Sequence, residues 1–181
     1  MAKNTKISKI TQDVKFKERF SDGTYIEYYE KDGKKHGECY RYYADGTVNW
    51  TVFYKDGLRE KTLKFFRNDG TLDVEWEYKK GLLQGMKKYY ADGKVLYKTA
   101  EMKNGIIHGS IIYYRNDDTK LSEVKFKKGK PVGLKILYRA DGKTVLREEP
   151  YEGTVKEYGI NGKVINETRY PKKEESESTN K

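Results

Sequence analysis

The sequence predicts an all-β chain, a string of tandem β-hairpins that share one period. Three observations predict it. Glycine recurs at 24-residue intervals, at Gly33, Gly57, Gly81, Gly105 and Gly129, and a second glycine follows four residues later at Gly37, Gly85, Gly109 and Gly133, with Lys61 as the exception. A fixed period of this length identifies a repeat architecture. Each unit also carries a polar turn ending in Asp-Gly or a relative: Asp45-Gly46, Asp69-Gly70, Asp92-Gly93, Asp117-Asp118, Asp141-Gly142 and Asn161-Gly162. Such dipeptides supply the positive φ of tight hairpins. Finally, the runs after these turns alternate with period two. Trp76 and Tyr78 oppose Glu75 and Glu77; Val124 and Phe126 oppose Glu123 and Lys125; Ala100 and Met102 oppose Thr99 and Glu101. That is the pattern of strands buried on one face, and no segment sustains a helical period.

The elements follow in order. Residues 1–13 are polar and basic, anchored only by Ile7 and Ile10, and are expected to be a loose arm or capping strand. A partial unit follows, in which Phe20 precedes Ser21-Asp22-Gly23 as Tyr90 precedes Ala91-Asp92-Gly93. The repeat domain is expected to span 14–170, as about six units. One hairpin buries too little to offset the entropy of ordering it, so each must pack on the next, with atypical ends as caps. The last unit departs from the period: the step from Gly142 to Gly162 is shorter than the others, and Pro150 stands where a strand residue would, which reads as the C-terminal cap. Pro171 ends the last strand, and the charged segment 172–181 is expected to be disordered.

Composition narrows the function classes. Hydrophobic residues are 35% and charged residues 36% of the 181, but aromatics reach 14%, with 17 tyrosines, so the chain folds around a thin core. The net charge of +10 suits an acidic protein, nucleic acid or an anionic membrane surface, and serves solubility as well. A single cysteine, Cys39, precludes an internal disulfide and fits a reducing compartment. With no apolar leader and no stretch long enough to span a bilayer, the expected location is the cytoplasm.

With the units aligned, Lys31 to Tyr43 (KDGKKHGECYRYY) and Lys103 to Tyr114 (KNGIIHGSIIYY) resemble the bacterial variant of the MORN repeat, over about residues 20–170. The resemblance implies an elongated, twisted antiparallel sheet of hairpins. Proteins of this kind are often labelled antitoxin components, and classical MORN repeats are associated with scaffolding and phospholipid binding. The Tyr-x-Gly-x-Trp signature of the classical form is absent, which weakens the lipid association, and the family supplies no catalytic residue to carry over.

The candidate chemical residues have plain readings. His36 and His108 each precede a second glycine, three periods apart; Glu60, Gln84 and Val132 fill the equivalent places, so both histidines read as repeat-signature turn residues. Cys39 shares its position with Leu63, Lys87, Ile111, Lys135 and Val155, and reads as structural and half-exposed. The glycines serve turns, because no phosphate-loop string is present. Neither a catalytic constellation nor a cofactor or metal site is expected.

The aromatic stripe Tyr42, Phe66, Tyr90, Tyr114, Tyr138 and Tyr158 is expected to form the core. The residues one place earlier (Arg41, Phe65, Tyr89, Tyr113, Leu137, Glu157) then point to the opposite face. The candidate binding face is Arg41, Trp50, Phe53, Phe65, Lys87, Tyr89, Tyr113 and Arg115, with Trp50 ambiguous because alternation places it beside Val52 on the core side. Tyr and Arg favour protein interfaces, and aromatic-basic mixtures also stack single-stranded bases. The expected function is therefore non-enzymatic capture or neutralisation of a partner protein. The alternatives are binding of nucleic acid, or inhibition of an effector that handles it, and binding of anionic phospholipid.

Overall fold

The computed structural model describes residues 14–150 and 153–170. The expected arm at 1–13 and tail at 171–181 lie outside the described residues. Fifteen strands form among those described: β1 (Val14–Arg19), β2 (Tyr25–Lys31), β3 (Lys34–Lys35), β4 (Gly37–Tyr42), β5 (Val48–Lys55), β6 (Leu58–Phe66), β7 (Leu72–Lys79) and β8 (Leu82–Ala91), then β9 (Val95–Lys103), β10 (Ile106–Tyr114), β11 (Lys120–Lys127), β12 (Lys130–Tyr138), β13 (Val145–Pro150), β14 (Gly153–Tyr158) and β15 (Val164–Tyr170). No helix forms among these residues. The chain is all-β, and each strand pairs with its sequence neighbours in one open antiparallel sheet, with β3 and β4 both pairing β2. Two compact units divide it, one through Gly85 and one from Met86, the division falling inside β8.

Two kinds of turn build the hairpins. The first-glycine turns are two-residue turns with both central residues at positive φ: Asp32 and Gly33 (51° and 70°), Asp56 and Gly57 (52° and 83°), Asn104 and Gly105 (52° and 85°). This is the demand of a type I′ turn, whose twist matches the strands it joins. Lys80 and Lys128 adopt the same conformation at 50° and 52°. The Asp-Gly turns at the other ends are longer. Gly46 N–H donates to the Tyr43 carbonyl (3.0 Å) and Tyr43 N–H to the Thr47 carbonyl (2.8 Å), a turn followed by a left-handed glycine. Asp45 Oδ1 braces it by accepting from Thr47 N–H at 2.8 Å, as Asp69 does from Thr71 and Asp117 from Thr119. The loop at Asp92-Gly93 is one residue shorter and is instead a two-residue turn, with φ of 48° and 72°.

In the first unit the buried side chains are Ile26, Tyr28, Cys39, Val52, Leu63 and Tyr78. Cross-strand register places Cys39 opposite Val52, Leu63 opposite Trp76, and Trp50 opposite Phe65, so these share one face. Phe16, Trp50, Tyr54, Phe65 and Trp76 pack around the cluster. This corrects the expected core stripe. Tyr42 and Phe66 lie on the other face, half-buried, and Cys39, expected to be half-exposed, is 1% exposed. The reason is geometric. Register decides which face a residue joins: Arg41 pairs with Ile26 and Phe65 with Trp50 on the buried face, which turns Tyr42 and Phe66 to the other. Above the small residues runs an alternation of cations and rings. Lys35 Nζ sits 4.1 Å from the Tyr28 ring centroid, and the Arg59 guanidinium 5.4 Å from that of Tyr78. Arg59 also donates to the Tyr54 and Tyr78 hydroxyls, both at 3.4 Å.

The second unit buries Ala100, Met102 and Val155 with the polar Thr99 and Ser122. At the repeat positions of Lys35 and Arg59 it carries Ile107 and Pro131, and at those of Tyr54 and Tyr78 it carries Met102 and Phe126. At these positions the second unit keeps one ring, Phe126, and no cation. On the opposite face the stripe tyrosines end in polar contacts: Tyr114 with Thr99 (3.3 Å), Tyr138 donating to Glu123 (3.2 Å) and Tyr158 to Glu148 (2.7 Å).

Candidate binding face

Several of the expected binding residues are occupied in holding one repeat to the next. The Arg115 guanidinium donates to the carbonyls of Lys120 and Tyr138, both at 2.5 Å. Arg139 repeats the gesture one unit later, donating to the Tyr158 carbonyl, and the Tyr43 hydroxyl donates to the Phe66 carbonyl at 2.9 Å. Arg115 is therefore a strut and not a surface cation. Arg41 donates to Thr24 Oγ1 at 3.1 Å and lies 4.9 Å from the Phe20 ring. Phe65 meets Trp76 edge-on at 4.9 Å within the first core, and Trp50 packs against the same cluster. All three belong to the buried side of the first unit.

His36 and His108 occupy the turn position read from the sequence. His108 Nδ1 accepts the Lys128 N–H at 3.4 Å and His36 Nδ1 the Asp56 N–H at 3.5 Å, in each case from the tight turn of the following repeat. Glu60 does the same for Lys80 with a shorter bond of 2.9 Å. Backbone bonds run alongside: Gly57 N–H to the Lys35 carbonyl, Gly81 to Arg59 and Gly129 to Ile107, each 2.9 Å.

Phe53 lies on the opposite face from Cys39, where Lys61 Nζ covers its ring at 3.8 Å. The pairing is specific to this repeat. One period later the residue equivalent to Phe53 is Glu77 and that equivalent to Lys61 is Gly85. A Cβ on Gly85 would meet Glu77 Oε2 at 2.0 Å, and on Gly109 would meet Glu101 Oε2 at 1.8 Å. The carboxylate packs where the glycine has no side chain. Lys61 forgoes the glycine, holds φ at 62° and stacks on a ring instead.

Lys87, Tyr89 and Tyr113 remain, all in the second unit. Lys98 pairs with Tyr113, and Ala100 with Ile111, across β9 and β10. Lys98 Nζ lies 5.1 Å from the Tyr89 ring centroid and 5.3 Å from that of Tyr113. Lys87, Tyr89, Lys98, Ala100, Met102, Ile107 and Ile111 line a shallow depression of about 340 Å³ together with Gly105, Ile106 and Gly129, and no acidic side chain is in its wall. Burial, and then the charge of Lys98, push the Lys87 ammonium below its ordinary pKa. Tyr113 and Ile106 are 38% and 47% exposed. Lys98 was missed in the sequence although the signal existed: it precedes Ala100 and Met102 by two and four residues on the same alternating face.

No protein-family model matches the chain. No curated protein matches it either.

Proposed function

We propose that the chain is a non-enzymatic binding protein that captures a partner protein through the face of its second unit bearing Lys87, Tyr89, Lys98 and Tyr113. The observation that carries the reading is the contrast between the two units. In the first, Lys35 and Arg59 lie over the buried tyrosines; in the second the equivalent positions are Ile107 and Pro131, and an apolar depression opens beside Lys87, Tyr89 and Lys98. Exposed tyrosine beside apolar surface is the composition of an interface centre. The resemblance to antitoxin-labelled repeat proteins extends the proposal to neutralisation of the captured partner.

The test is capture from the native host on immobilised chain, comparing wild type with Tyr113→Ala and Tyr89→Ala. Loss of one defined protein with an unchanged melting temperature supports the reading. Identical capture by both variants, or melting temperatures that collapse in both, overturns it. An eluate dominated by nucleic acid, with retention that falls steeply with salt, would favour the nucleic-acid reading instead.

A further inference from the structure

We propose that the depression lined by Lys98 takes a carboxylate side chain, at the Lys98 ammonium, from an acidic, extended peptide segment of the partner, with an apolar neighbour seated on Ala100, Met102, Ile107 and Ile111. The inference rests on the protein-capture reading and specifies its chemistry. Lys98 carries the argument. Among the described residues no carboxylate pairs with it, and its ammonium is held over two ring faces. Lys87 lines the same depression, and no acidic side chain does. A carboxylate placed against Lys98 would gain charge-assisted hydrogen bonds. The rest of the lining is apolar, and the depression measures about 340 Å³. Gly105 and Gly129 also line it, and the space a Cβ would take at each is open.

The surroundings decide between a peptide and a nucleic acid. A single-stranded nucleic acid needs open ring faces and a track of cations. Here Lys98 already lies against the Tyr89 and Tyr113 rings. Farther along the same face the cations are neutralised: Lys135 pairs with Glu149 at 3.0 Å, and Arg147 with Glu149 at 3.2 Å and Glu157 at 3.8 Å. The positive charge is a point, and a point matches one carboxylate.

The experiment is fluorescence anisotropy with the full chain and three labelled probes: a blocked peptide alternating Glu and Leu, its Gln counterpart, and a short oligothymidylate. The Glu peptide is expected to bind about ten-fold tighter than the Gln peptide, equivalent to about 1.4 kcal/mol. Lys98→Met, which keeps the stem over the rings, should abolish that preference; Lys98→Arg should retain it; Lys125→Met, an exposed lysine of the opposite face, should leave it unchanged. Near-ultraviolet circular dichroism checks that the variants are folded. Equal binding of the two peptides, or a Glu preference indifferent to Lys98, overturns the proposal, as does tighter Lys98-dependent binding of the oligothymidylate. If the peptides fail to discriminate while Tyr113→Ala still loses the captured protein, the carboxylate site falls and protein capture stands. If the Lys98-dependent preference holds while Tyr113→Ala captures normally, the carboxylate site stands and the broader reading falls.

Discussion

Cys39 is the most enclosed side chain of the first unit, and burial pushes its thiol up to about 11, against the smaller opposing influence of Lys35 and Arg59. A protonated, covered thiol is a poor nucleophile. Ellman's reagent near neutral pH should therefore find no reactive thiol in the native chain and one after denaturation; rapid native labelling would show that the Cys39 environment opens. Tyr28 is shifted by a hydrogen bond donated to Glu18 and then by burial, up to about 12 from an ordinary value of 10. Its neutral hydroxyl is favoured in the fold, so its contribution to stability is complete below pH 10 and disappears as pH rises through about 12. Urea midpoints followed across that window should fall less steeply for Tyr28→Phe than for wild type. Gly109 is the third position with a defined cost. Its φ is 121° and the Glu101 carboxylate fills the space a Cβ would need. Gly109→Ala should destabilise by about 1–3 kcal/mol, in line with backbone strain and overpacking. Glu101→Ala in the same chain should recover part of it in a double-mutant cycle, the steric part only.

At the scale of elements, the tight turns are tied to the preceding repeat by a side chain as well as by the backbone. Glu60 makes the shorter bond and is charged, so Glu60→Ala should cost about 1.5–3 kcal/mol; the long His108 bond places His108→Ala nearer about 0.5–1 kcal/mol. Chemical denaturation of the two variants checks the order, and a larger loss for His108→Ala would refute it. The hairpins were legible in the sequence because glycine spacing and Asp-Gly turns report backbone conformation directly. The face assignment was not. Alternation separates two faces but does not say which is covered, and Tyr42 and Phe66 looked like core because they are large. The covered face buries Tyr28 and Tyr78 as well as Cys39 and Val52, with Phe65 and Trp50 beside them. Arg115 failed as a surface residue for a related reason: two carbonyls that accept from it lie 5 and 23 residues along the chain, and spacing alone does not reveal that reach. Tyr89 and Tyr113 share a repeat position that the sequence displays; Lys98 meets both only through strand pairing, which spacing does not display.

Across the whole molecule, burial is uneven. The first unit holds six contiguous buried side chains, whereas every described side chain from 160 to 169 is exposed, including Ile160 at 85% and Ile165 at 68%. Local opening follows the density of buried apolar contacts. Amide exchange should accordingly be slowest in β5 and β6 and fastest in β15; uniform protection along the chain would contradict this distribution. The bonds from Gly57 to Lys35, Gly81 to Arg59 and Gly129 to Ile107 all span the same length of chain. Such a chain can be lengthened or shortened only in phase. Excising one whole period between equivalent positions reconnects each turn amide with an acceptor of the same kind. Removing half a period leaves both amide and acceptor without their counterparts. The common span makes the repeat a unit of inheritance as much as of folding, and it sets the stride by which a designer could move the Lys98 depression along the sheet.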